Sequence, residues 1–145
     1  LRVRELFHVF QVPYFLIIIQ KNIMQHSKNK EIENLVSELK KYSKVVAVIL
    51  FGSYARKQIK PLSDIDIAVI IKDMDKKTET EVATYSSKDF DVVPFHRLPL
   101  YIQFEVLKHG KLLFLRNKNY FLSVKMQVLR EYLDHVHLYE RMSRI

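Results

Sequence analysis

Val45-Val46-Ala47-Val48-Ile49-Leu50-Phe51-Gly52-Ser53-Tyr54-Ala55-Arg56-Lys57 is the stretch on which the fold turns. It opens as an unbroken apolar run, rich in β-branched residues, and stops at a glycine. That length and composition predict a strand buried on both faces. From Ser53 to about Lys60 the chain is polar and basic, and Pro61 closes the segment off, which fits a short helix. Gly52 and Gly110 are the only glycines among 145 residues. A glycine is cheap only where the backbone needs it, so one at a strand-to-helix joint is informative.

After ten intervening residues comes Asp64-Ile65-Asp66-Ile67-Ala68-Val69-Ile70-Ile71. It reads as a second strand, with Asp64 and Asp66 on one face and Ile65 and Ile67 on the other. Helix N-termini offer unpaired N–H groups and a partial positive charge, so the Gly52-Ser53 turn suits a phosphate. Two neighbouring carboxylates repel each other and call for a cation. Oxygen-only ligands favour magnesium, which is commonly held by one or two carboxylates plus substrate phosphates. Gly-Ser alone is a common turn, and Asp-x-Asp alone is usually a solvated strand end. Their combination at the ends of two apolar runs points to one site.

The rest of the chain supplies a frame. Phe90 to Phe95 is a third, shorter strand ended by Pro94. Ser27 or Asn29 is placed to cap a helix running to about Tyr42, with Ile32, Leu35, Val36 and Leu39 as its apolar stripe. Residues 72–88 fit either a short helix or an antiparallel arm. Pro99 opens a helix to about His109, with Gly110 as its C-terminal cap, and Lys111–Leu115 adds a short strand. From Asn119 to the end the pattern is helical, and Leu122, Met126, Leu129, Leu133 and Val136 form a narrow stripe. That stripe either packs on the domain's own sheet or docks a partner. His135 and His137 are two apart, a poor metal pair on a helix, and His96 is a loop residue near the third strand. The expected class is α/β (α+β): a small mixed β-sheet flanked by helices, with a long C-terminal helix.

Residues 1–25 are expected to be an N-terminal extension outside the core, and 26–145 the domain. Leu1 opens the chain and Met24 sits just before a helix start, so residues 1–23 read as either a translated upstream extension or a real appendage, with the domain expected to begin after Met24. Their apolar stretch, Tyr14 to Ile19, is too short to span a bilayer and lacks a small-residue cleavage site, so no membrane is expected. If translated, it offers a route to a homo-oligomer. The absence of cysteine excludes disulfides and thiolate metal sites and suits a cytoplasmic protein. The net charge of +8 suits nucleotide phosphates, an acidic partner or nucleic acid. Nucleic acid is possible but not favoured, because the lysines are dispersed.

Gly52-Ser53, ten residues, then Asp64-Ile65-Asp66 resembles the signature of the DNA polymerase β-like nucleotidyltransferase superfamily. The Gly-Ser-Tyr-Ala-Arg wording most resembles its minimal nucleotidyltransferase (MNT) group, over roughly residues 28–115, and Leu112-Leu113-Phe114 resembles the way these domains close. The resemblance implies the nucleotidyltransferase fold, binding of ATP or another nucleotide with two magnesium ions, and transfer of a nucleoside monophosphate to an acceptor hydroxyl. Carried over by position, Gly52 and Ser53 would hold the triphosphate, with Arg56 and Lys57 beside it. Asp64 and Asp66 would bind the metal ions. Asp91 fits the place of the family's third carboxylate, and Asp89, of the same strand parity, is the fallback. Small domains of this kind resemble the antitoxin half of a toxin–antitoxin pair whose partner is a helical HEPN protein, adenylylated on a tyrosine. A non-catalytic binding module, or transfer to a small molecule or RNA, are the alternatives.

Overall fold

The computed structural model describes residues 14–52 and 64–143. The chain divides into two compact units, Leu1–Ser37 and Glu38–Ile145. Most of helix α1 (Tyr14–Leu39) belongs to the first. Its stripe of Ile32, Leu35, Val36 and Leu39 is buried, as the spacing requires. The helix starts earlier than expected, however, and Ser27 and Asn29 lie inside it, both exposed. A capping residue on a solvent face costs a helix only a few tenths of a kcal/mol, about 0.5, so α1 runs through them.

In the second unit, β1 (Val45–Phe51), β2 (Ile65–Ile71), β3 (Phe90–Pro94) and β4 (Lys111–Leu115) form one mixed sheet in the order β3-β2-β1-β4. β1 pairs antiparallel with β2 and with β4, while β2 pairs parallel with β3. Val45 to Leu50 and Ile67 to Ile71 are all buried, so the two central strands form the floor of the core. Each valine, leucine or isoleucine among them contributes roughly 1.5–3 kcal/mol on leaving water. Pro94 sits on the edge strand, where its missing N–H leaves no central ladder bond unmade.

The parallel β2–β3 pair needs a crossover, supplied by a 3-10 turn (Lys72–Met74) and α2 (Lys76–Ala83). Within residues 72–88 the chain therefore forms this turn and a short helix rather than an extended arm. The Asp75 carboxylate nucleates α2, accepting from the Thr78 amide at 3.2 Å and its hydroxyl at 2.6 Å. Val82 buries α2 against the sheet.

The opposite face is covered by α3 (Leu100–His109) and α4 (Lys118–Ser143). Ala68 and Ile70 of β2 share a cluster there with Phe95, Val106, Phe121 and Val128. Phe104 and Tyr132 stack with ring centroids 3.9 Å apart, joining α3 to α4. Gly110 follows α3 as expected, but with a φ of −67° rather than a left-handed value. Its need is for space: a Cβ there would collide with the Val106 carbonyl and come 2.6 Å from Ile49 Cγ2. The C-terminal stripe does not pack on the sheet. Phe121 and Val128 do so, leaving Leu122, Met126, Leu129 and Leu133 exposed. Among the described residues, no helix is long and apolar enough to cross a membrane.

Candidate functional site

Strand parity builds the site. Along β2, Ala68 and Ile70 face the α3–α4 layer. Two and four residues earlier, Asp66 and Asp64 extend the same row beyond that cover. Asp66 is half-buried and Asp64 exposed. The antiparallel register sets Phe51 opposite Asp66, which brings the end of β1 and Gly52 to the same place. The parallel register sets Asp91 opposite Asp66. Register partners share a face, so Asp91 stands beside Asp66. Asp89 instead lends its backbone, its carbonyl accepting the Ile65 amide at 2.9 Å.

Gly52 has a φ of 78°, the left-handed region that glycine enters freely. A Cβ at that position would collide with the Asp66 carboxylate. The turn and the carboxylate are therefore in close approach, and any side chain at position 52 would have to displace the carboxylate. Partial burial, and then the negative charges of Asp91 and Asp64, push the Asp66 carboxyl above the ordinary carboxylate range. Among the described residues, no lysine, arginine or histidine pairs with any of the three.

The expected phosphate-contacting residues Ser53, Arg56 and Lys57 lie outside the described residues. Gly52, Asp64, Asp66 and Asp91 are brought together. Among the described residues, no group of three histidine or acidic side chains is arranged to hold a metal ion unaided. The donor set still fits a hard divalent cation: it is oxygen-only, carries unbalanced negative charge, and leaves coordination places for phosphate oxygens. His96 lies elsewhere, paired with Glu79, and His135 and His137 are on the exposed surface of α4.

Nothing on α3 stood out in the sequence, yet α3 borders the Gly52 turn. A cavity of about 180 Å³ lies between them, with Phe51, Ile102 and Val106 as apolar walls and Glu105 and His109 at its rim. The only hint was Gly110, whose missing side chain lets α3 and β1 approach.

Comparison with known proteins places this geometry. Residues 33–119 match the family described as "Polymerase beta, Nucleotidyltransferase". The chain belongs to that family. This nucleotidyltransferase is 38% identical over 72 residues to "Putative protein adenylyltransferase MJ1547" of Methanocaldococcus jannaschii, a match covering 50% of this chain and 57% of that protein. The chain thus spans little more than half the length of that relative. A structure titled "Crystal structure of the toxin-antitoxin with AMP-PNP" is similar with a TM-score of 0.53 and 25% identity, over 73% of this chain and 92% of that one. A mutant MntA-HpeT toxin-antitoxin structure shares the fold, with a TM-score of 0.50 and 23% identity over 75% of this chain and 91% of its own.

Proposed function

We propose that this nucleotidyltransferase transfers AMP from ATP to a hydroxyl, namely a tyrosine of a HEPN-type protein partner, and so acts as an antitoxin. The observation that carries the reading is the contact of Gly52 with Asp66, with Asp64 and Asp91 alongside. A turn that suits phosphate and an under-neutralised carboxylate cluster share one place. The likeness to a toxin–antitoxin structure with AMP-PNP and to a named protein adenylyltransferase supports an adenine nucleotide as donor and a protein as acceptor.

In this reading, the Gly52 and Ser53 backbone holds the triphosphate, and Arg56 and Lys57 neutralise it. Asp64, Asp66 and Asp91 would hold two magnesium ions. When bound there, these would supply the positive charge that activates the attacking hydroxyl and stabilises the departing pyrophosphate. The acceptor oxygen bonds to the α-phosphorus, the bond from that phosphorus to pyrophosphate breaks, and Asp91 takes the hydroxyl proton.

The test is incubation with α-labelled ATP, magnesium and a purified HEPN partner. The expected result is label on the partner, lost in Asp66→Ala. Tight binding of the partner without label would replace the enzyme with a binding module.

A further inference from the structure

α4 carries two apolar faces, and the sheet uses one. On the other, Leu122, Met126, Leu129 and Leu133 are 45, 51, 41 and 46% exposed, and Val136 is half-buried. These five are spaced four, three, four and three residues apart. That alternation is the seam of a coiled coil, with Leu122, Leu129 and Val136 at d and Met126 and Leu133 at a. The positions that flank such a seam are e and g. Here they are Lys118, Ser123, Lys125, Arg130, Tyr132 and His137, without a single carboxylate. A second copy laid on this face would set lysines and arginines against one another in either orientation. A membrane surface would want a broad apolar face with aromatic anchors, whereas this seam is narrow and wholly aliphatic and methionine.

We propose that this face of α4 receives one amphipathic helix of a partner protein, with an aliphatic seam and acidic flanking residues, crossing at about 20°. Leu122 to Val136 extends over about 21 Å, two heptads. That is short for a free-standing coiled coil. It suits a partner helix already held in its own fold. The inference goes beyond the transfer reaction and does not depend on it.

The test uses the full chain and two three-heptad probe peptides with leucine at a and d, one bearing glutamate at e and g, the other lysine. The glutamate peptide should bind at least about tenfold tighter, with an affinity that falls as salt rises. Leu129→Lys, an exposed site, should weaken that binding at least about tenfold. The double variant K118E/R130E should reverse the peptide preference. ATP binding, titrated in the same samples, should not change, so a failure of the nucleotide site would show separately. Equal binding of both peptides, no effect of Leu129→Lys, self-association of the chain through this face, or Leu129-dependent capture on anionic vesicles would each overturn the proposal.

Discussion

β2 has carboxylates at both ends, and the two groups are treated in opposite ways. Beyond its C-terminal end, Asp75 accepts two hydrogen bonds from Thr78 and lies 3.5 Å from the Lys44 ammonium. Those hydrogen bonds, with Lys44 beside them, hold its carboxyl below the ordinary range. Glu79 is buried, yet it meets Arg97 Nη2 at 3.0 Å and also pairs with His96. At the N-terminal end, burial and the charges of Asp91 and Asp64 push Asp66 the other way. An acid that serves the fold arrives with its donors. On the proposed function, Asp66 serves chemistry and is left wanting one, at some expense to stability.

This contrast can be broken by experiment. The largest effect is expected for Asp66→Ala or Asp64→Ala, where nucleotidyl transfer should fall on the order of a thousandfold. Circular dichroism should meanwhile remain native. Transfer at the parental rate in either variant would remove the functional half of the contrast. Glu79→Ala should do the reverse: about 2 kcal/mol of stability lost in denaturant titration, because Arg97 and His96 lose a buried acceptor. Nucleotide binding should survive it.

Gly52→Ala should lose about 1–2 kcal/mol through its left-handed backbone alone. It should also lose nucleotide binding, since the new methyl displaces the Asp66 carboxylate. Stability loss without binding loss would show that the close approach is merely structural.

The smallest effects are in pH. A carboxyl raised in the folded state binds its proton more tightly there, so Asp66 costs stability as pH rises from its unfolded value of 3.8 through the raised one. Asp66→Asn should therefore raise the melting temperature at neutral pH, and should abolish the further rise that the proposed function expects of the parent on adding magnesium. Asp75, lowered from 3.8, contributes stability above that value and loses it as pH falls further. Asp75→Asn should lower the neutral-pH melting temperature. Shifts of the same sign in both variants would undo the distinction.

Much of this was legible from local pattern. β1, β2 and β3 are buried runs with clear stops, and the Gly52–Asp66 pairing shows in spacing because two strands of matched length bring those residues together. What depended on long-range register was not legible. Asp89 and Asp91 have the same parity, and only the parallel alignment with Asp66 separates them. α2 has Val82 as its one buried aliphatic residue, too little periodicity to reveal a helix, although its Asp75 cap was present. Periodicity showed that α4 has a seam but not what covers it. Gly110 stood where a left-handed cap belongs, while its constraint comes from Ile49, far away in sequence.

The sheet order has a consequence for how the protein matures. β2 lies between β1 and β3, so the strand bearing Asp66 touches Gly52 on one side and Asp91 on the other. Neither neighbour is local, and one pairing is parallel, a slow class of contact to close. A nascent chain thus has no complete site until β3 has docked. A nucleotide that recognises only the completed sheet would draw the folding equilibrium toward it by mass action. Nucleotide occupancy would then report that the chain has finished folding.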